Sequence, residues 1–200
     1  MVAGGMLPQS QEIVRNAINS DMDPQEIIDS YLIKGMEEVG DRFAKGQAFV
    51  PNLLLAARAM KGCLEILSPL MQGGSAHSLG TVVIGTVKGD LHDIGKNLVA
   101  SMLEGCGFTV YNLGTNISAQ QFIDAVRKYD AKIVCLSALL TTTMAYMQEI
   151  IQTFESEGLR DKVKIMVGGA PVNAAFASSI GADGYSANAN EAVALAKSLI

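Results

Sequence analysis

The 200-residue chain has no tryptophan and only 11 other aromatic residues, 5 Tyr and 6 Phe. That leaves little to stack on nucleic-acid bases. Neither half carries an excess of positive charge: residues 1–80 hold 6 basic and 9 acidic side chains, residues 81–200 hold 9 and 11. Without a basic stripe, nucleic acid and anionic membrane are not expected partners. Long apolar runs are also missing. The longest are broken by Arg58, Lys61 and Glu65, so no span of a bilayer is expected. The first residues, Met1–Leu7, lack a basic region and a long apolar core, and are not expected to act as a signal peptide. Cysteines number three, Cys63, Cys106 and Cys135, far apart and in apolar surroundings. An odd, scattered set argues against a disulfide frame or a zinc site and for buried thiols in a reducing cytoplasm. What the chain has is 49% hydrophobic residues against 18% charged, enough for a real core.

The pattern divides the chain into residues 1–75, a linker at 76–80, and residues 81–200. The first part reads as helical. Ser10 is placed to cap a helix over residues 11–19. Asp23-Pro24-Gln25-Glu26 carries an Asp cap, Pro at the first helical position and Glu at the capping-box position. Ile27, Ile28, Tyr31, Leu32, Gly35, Met36 and Val39 follow at helical spacing. Lys45-Gly46-Gln47 is a turn. From Pro51, Leu53, Leu54, Ala57, Met60, Leu64 and Leu67 form an apolar stripe. Such helices with short connections predict a small bundle. Gln72 to Gly80 is rich in Gly and Ser and holds His77, read as an ordinary linker histidine.

After Gly80 short β-branched runs alternate with helical patterns. Strands are predicted at 81–86, 108–113, 131–136, 163–167 and 183–186, and helices at 94–106, 118–129, 143–158, 171–180 and 190–199. Five βα units predict an α/β domain of the flavodoxin-like, Rossmann-like kind, with a parallel sheet in the order 2-1-3-4-5. In that order strands one and three are neighbours whose connections leave on opposite sides, and a crevice opens at their carboxyl ends. The candidate site is therefore the loop after Thr86 and the loop after Leu136.

The first loop, Lys88-Gly89-Asp90-Leu91-His92-Asp93-Ile94-Gly95-Lys96, lacks the glycine pattern of a phosphate cradle. It offers one histidine with a carboxylate two residues earlier. Neutral imidazole is a common metal ligand, and its far nitrogen usually donates to a carboxylate that fixes the tautomer. One histidine is too few for zinc. It suits a metal already held by a macrocycle. The alternative is a His–Asp pair that merely orders the loop. Gly95 leaves room where the helix starts. In the second loop, Ser137 ends a central strand and Thr143 is within reach of Asp90, while Thr141–Thr143 are equally suited to cap the next helix. Strand four ends in Gly168-Gly169.

Asp90-Leu91-His92-Asp93-Ile94-Gly95 after strand one, Ser137-Ala138-Leu139 after strand three and Gly168-Gly169 after strand four together resemble the fingerprint of the cobalamin-binding domain family. The resemblance extends into the helical part through 39–43, 46–52 and 56–61, similar to the helical cap of cobalamin-dependent methionine synthase and to the free-standing corrinoid proteins of methyltransferase systems. It implies a corrinoid methyl carrier with cobalamin bound base-off and His-on. His92 would be the lower axial cobalt ligand, Asp90 its partner, and Thr143, where the family often has Ser, the end of the relay. Ser137, Leu139, Gly168 and Gly169 would line the slot for the nucleotide tail, with Asp93, Gly95 and Thr141 also in the cofactor-binding set. Phe49 would lie near the methyl group on the upper face, with Ala56, Ala59 and Met60 as further cap residues; bundle core is the other reading of all four.

The implied activity is a shuttle between a substrate-specific methyltransferase and a methylcorrinoid:acceptor methyltransferase, cycling Co(I) and methyl-Co(III), with a reductive activase as a further partner. The chain would be a corrinoid subunit without catalytic residues of its own. The cobalamin subunit of an adenosylcobalamin mutase and a cobalamin-based sensor share the 81–200 motifs. The donor (methanol, a methylamine, betaine or an aryl methyl ether) and the acceptor (a pterin or a thiol) are not written in this chain.

Overall fold

Asp23 caps its helix as expected, its carboxylate accepting from the Gln25 amide at 3.4 Å with Pro24 at the first helical position. The computed structural model describes residues 1–70 and 78–200. His77 and the first part of the expected linker lie outside the described residues. The helical unit comprises α1 (Leu7–Asn19), α2 (Pro24–Ile27), a π turn (Ile28–Leu32), α3 (Ile33–Ala44) and α4 (Val50–Leu67). This compact unit also takes in residues 101–107.

Two local expectations change here. The first helix starts at Leu7, not after Ser10, because Pro8 occupies a first-turn position where its missing N–H is not needed. Ser10 then falls inside α1, buried, with its hydroxyl unpaired. The second long helix is not uniformly α. In an α-helix Ile27 and Leu32, five residues apart, would face about 140° away from each other. The wider π turn brings both to the buried side, where Met36 and Val39 follow, and leaves Tyr31 exposed. In α4, Leu53, Ala57, Met60 and Leu67 of the expected stripe are buried, but Leu54 is exposed and Leu64 only partly buried; the covered face runs through Ala56 and Cys63 instead, at the i, i+3, i+4 spacing that Leu53 and Met60 set. Gly62 lacks the Cβ that would collide with Leu7, and its carbonyl accepts from Gln11 Nε2 at 3.1 Å, so α1 and α4 pack closely.

The second unit is the five-stranded parallel sheet, ordered β2-β1-β3-β4-β5 as expected. Its strands are β1 (Thr81–Thr86), β2 (Thr109–Asn112), β3 (Ile133–Ser137), β4 (Lys164–Gly168) and β5 (Gly184–Ser186). Between and after them run α5 (Ile94–Gly105), α6 (Ala119–Tyr129), α7 (Ala145–Ser156), α8 (Ala174–Ser179) and α9 (Ala189–Ser198). The central strands are nearly all apolar because both faces are covered. Val83, Val134, Leu136, Ile165 and Val167 share one core with Phe122, Ile123, Met147, Ile150 and Phe154 of α6 and α7. Ser118 and Gln121 make the expected reciprocal capping box at α6.

Strand register sets the level of the site. Thr86 pairs with Ser137, Ser137 with Gly168 and Gly168 with Ser186. Cα partners in a sheet share a face. The carboxyl ends of β1, β3, β4 and β5 therefore carry one continuous row of small residues, three with hydroxyls.

Candidate functional site

The loop between β1 and α5 is built around one buried carboxylate. Asp90 is 0% exposed. Its oxygens meet five donors: Oδ1 accepts from the His92 amide at 3.1 Å and pairs with His92 Nδ1 at 2.7 Å, while Oδ2 accepts from the Leu139 amide at 2.7 Å, the Leu140 amide at 3.2 Å and Thr143 Oγ1 at 2.9 Å. Burial alone would push the carboxyl up. The Leu139 amide, the His92 ring and amide and the Thr143 hydroxyl together outweigh it and hold the carboxyl well below the usual carboxylate range. Asp90 is therefore an anion that can only accept. His92 Nδ1 must carry the hydrogen, which leaves the lone pair on Nε2.

The imidazole itself is about half in solvent, at 52% exposure. Its backbone is fixed by Thr86, whose buried Oγ1 donates to the His92 carbonyl at 2.8 Å. Among the described residues no three His, Cys, Asp or Glu side chains converge on a metal position. Nε2 is a single, oriented donor. It suits a metal that brings its other ligands with it.

The sequence-derived residues divide as follows. Asp90, His92, Leu139 and Thr143 meet at the carboxylate; Leu139 takes part through its amide. Thr143 Oγ1 also lies 2.8 Å from the Leu140 carbonyl. No threonine side chain caps α7, whose N-cap is Met144. Thr141 is exposed in the short 3-10 turn before it. Ser137 and Gly168 stand in the row of small residues. Gly169 has φ +132, and a Cβ there would fall on the Ala138 carbonyl, so this glycine lets the ends of β3 and β4 approach. A Cβ on Gly95 would meet nothing within 4 Å, so open space lies beside the first turn of α5. Asp93 precedes that turn, and its carboxylate accepts from Asn97 Nδ2 at 2.9 Å. Exposed Leu91, Ile94, Leu139 and Leu140 supply apolar surface in the same two loops. Phe49 and Met60 belong to the helical unit: Phe49 is 68% exposed, Met60 only 1%.

Reading the sequence missed Thr86, Ser186, Lys96 and Asn116. Thr86 and Ser186 are legible as the last residues of their strands, level with Ser137 once the register is known. Lys96 gives no signal, since a lysine in a first helical turn is ordinarily exposed.

These residues fit a corrinoid. The oriented Nε2 would reach the metal, the open side at Gly95 and the row of small hydroxyl-bearing residues would admit a large polar appendage, and the exposed leucines would face an apolar ring edge. A family model described as B12 binding domain matches residues 80–194, and a second of the same description matches residues 3–68. The chain is 43% identical to dimethylamine corrinoid protein 1 of Methanosarcina acetivorans, with 100% of this chain and 95% of the relative covered. It is 44% identical to trimethylamine corrinoid protein 2 of Methanosarcina mazei, over 94% of this chain and 88% of the relative. Among solved structures it resembles a cobalamin-binding protein from Desulfitobacterium hafniense, with TM-score 0.85 and 31% identity over 100% and 95% of the two chains. It also resembles a chain of the methanol:cobalamin methyltransferase complex from Methanosarcina barkeri, with TM-score 0.83 and 32% identity over 99% of this chain and 76% of that chain. The chain belongs to the B12-binding family, as a corrinoid protein related to the carriers of methyltransferase systems.

Proposed function

We propose that this protein carries a methyl group on a bound corrinoid between a substrate-specific methyltransferase and an acceptor methyltransferase. One observation carries the reading: a half-exposed imidazole has its Nδ1 held at 2.7 Å by a fully buried, five-donor carboxylate, so Nε2 is oriented and free to ligate. When bound, the corrinoid supplies a cobalt centre that accepts and gives up methyl groups. His92 would be the lower axial ligand. Asp90 and Thr143 hold its ring and tautomer. Ser137, Gly168 and Ser186 would line the space for the nucleotide tail, with Leu139, Gly95, Asp93, Thr141 and Gly169 around it.

Residues 1–75 would serve as the cap and 76–80 as the linker. Phe49, being exposed, is the side chain we assign to the upper face; Met60 is buried and would need uncovering to take that role. The named relatives are dimethylamine and trimethylamine corrinoid proteins, so a methylated amine is the donor class we propose first. A reductive activase would be a third partner, because a low-valent cobalt lost to oxidation must be restored. A reducing cytoplasm fits the burial of all three cysteines. No helix among the described residues is long and apolar enough to cross a membrane.

The test is to load the purified protein and His92→Ala with hydroxocobalamin, pass both over gel filtration and compare absorption spectra. Cofactor that stays with the protein, with a spectrum that changes in His92→Ala, is the expected result. Cofactor lost from both proteins, or identical spectra, would overturn the assignment.

A further inference from the structure

The end of β2 and the connection from it to α6 contribute no residue to the fingerprint, yet they hold the ligand loop at two points. Asn116 has φ +58, in the left-handed region, which Asn tolerates better than most residues. In that conformation its amide donates to the Asp90 carbonyl at 3.0 Å, and its Oδ1 accepts from the Gly89 amide at 2.8 Å. Gly89 has φ +79 and is itself at a turn. One asparagine thus grips two successive residues just before His92.

The second point lies just after His92. Lys96, in the first turn of α5, is 3% exposed and is the one buried cation among the described residues. Its ammonium donates to Asn112 Oδ1 at 2.7 Å, at the end of β2, and to Asn97 Oδ1 at 2.6 Å. Burial lowers the Lys96 pKa and the nearby Asp93 carboxylate offsets part of that shift. Asn112 Oδ1 also accepts from the Gly114 amide at 3.0 Å, so the segment 112–116 is tied internally as well as to the loop.

We propose that Asn116 is a positioning residue for His92, holding the backbone of Gly89 and Asp90 still so that the carboxylate can hold the ring. The inference rests on reading His92 as the cobalt ligand. The physical reason is leverage. A half-exposed ring has no core to keep it in place, so its orientation is only as fixed as Asp90. Leu139, Leu140 and Thr143 fix the Asp90 carboxylate, and Asn116 fixes its main chain. If the Gly89 contact is lost, the loop gains freedom at the residues that aim Nε2.

Three variants separate the possibilities. Asn116→Gly keeps the left-handed backbone and the amide donor but deletes the side-chain acceptor. Asn116→Asp keeps all three. His92→Ala removes the ligand. Amide hydrogen exchange at residues 88–93 is measured without cofactor. Nitrogen splitting from the protein is measured in the electron paramagnetic resonance spectrum after loading 15N-labelled protein with hydroxocobalamin and reducing it to Co(II), the label separating it from splitting by the cofactor's own benzimidazole. The expected result is faster exchange and about a 10- to 100-fold weaker His92–cobalt association in Asn116→Gly, the cost usual for a group that orients a metal ligand. Asn116→Asp should restore both. If His92→Ala abolishes the splitting while Asn116→Gly leaves exchange and ligation unchanged, the inference fails and the ligand stands. A lowered unfolding midpoint in Asn116→Gly with unchanged ligation also overturns it, as a structural role only. If His92→Ala keeps the splitting, the ligand reading falls and takes the inference with it.

Discussion

Asp90 Oδ1 lies 2.7 Å from His92 Nδ1, and this pair is asymmetric in burial: the carboxylate is sealed and the ring is half in water. The anion is therefore the fixed element, and it orients an imidazole that no core holds in place. The predictions below test that division of labour.

Replacing Asp90 by Asn tests charge and tautomer together. An amide cannot accept at both ends. The orientation that satisfies the Leu139 and Leu140 amides and Thr143 turns its NH2 toward His92 Nδ1. That nitrogen must then accept, Nε2 carries the hydrogen, and the lone pair for a metal is gone. Asp90→Asn should fold and weaken axial ligation by about 10- to 100-fold. The measurement is the nitrogen splitting of the Co(II) form at equal protein concentration.

Acid should remove the stability that Asp90 contributes. Its carboxyl is held below the ordinary range, so its contribution is fully present above the unfolded value of about 3.9. It falls away as pH drops below that value toward the lower folded one. Urea unfolding of the parent and of Asp90→Asn should show a gap that is constant from neutral pH to about pH 5 and narrows below about pH 4. A gap that widens in acid would contradict the assignment of the shift.

Thr143→Val removes one donor to a buried carboxylate while conserving volume. The other four donors remain, so the expected loss is about 1–2 kcal/mol of unfolding free energy. Thr143→Ser should recover most of it. Denaturant unfolding of the three proteins without cofactor is sufficient.

The two glycines of the fingerprint should behave oppositely. Gly95 faces open space, so Gly95→Ala should raise stability by roughly 0.5–1 kcal/mol through helix propensity. Gly95→Leu should weaken cobalamin retention by about ten- to a hundredfold, the equivalent of about 1–3 kcal/mol of overpacking. Gly169→Ala should instead destabilise the protein without cofactor, because φ +132 and the Ala138 carbonyl both exclude a side chain. Thermal unfolding and gel filtration with hydroxocobalamin separate the two effects.

The sheet order and the level of the site were legible because the chain alternates strands and helices cleanly and because motif residues follow strand ends. Asp90, His92, Ser137 and Gly168 were singled out in that way. Thr86, Ser186 and Asn116 were not, because their importance comes from pairing and backbone conformation rather than from side-chain type at a spacing. Asn116 acts through a positive φ and contacts 26 and 27 positions away in sequence. Lys96 was hidden for a different reason: its charge argues for solvent, and burial is offset by Asn97 and Asn112 as acceptors with the Asp93 carboxylate nearby. The helical part misled at Ser10, where Pro8 started the helix a turn early, and at Tyr31, where one period was carried through a segment that changes pitch.

That change of pitch bears on how the chain tolerates insertion and deletion. The π turn at Ile28–Leu32 holds one residue more than an α-helix needs to bring Ile27 and Leu32 to the same side. Removing Ser30 would leave those two residues four apart, the ordinary spacing of one α-helical face. The same deletion within α4 would swing every residue after it by about 100° and turn its stripe away from the core. Two helices of similar length in one small unit thus carry unequal tolerance to length change, and circular dichroism of the two single-residue deletions would register the difference.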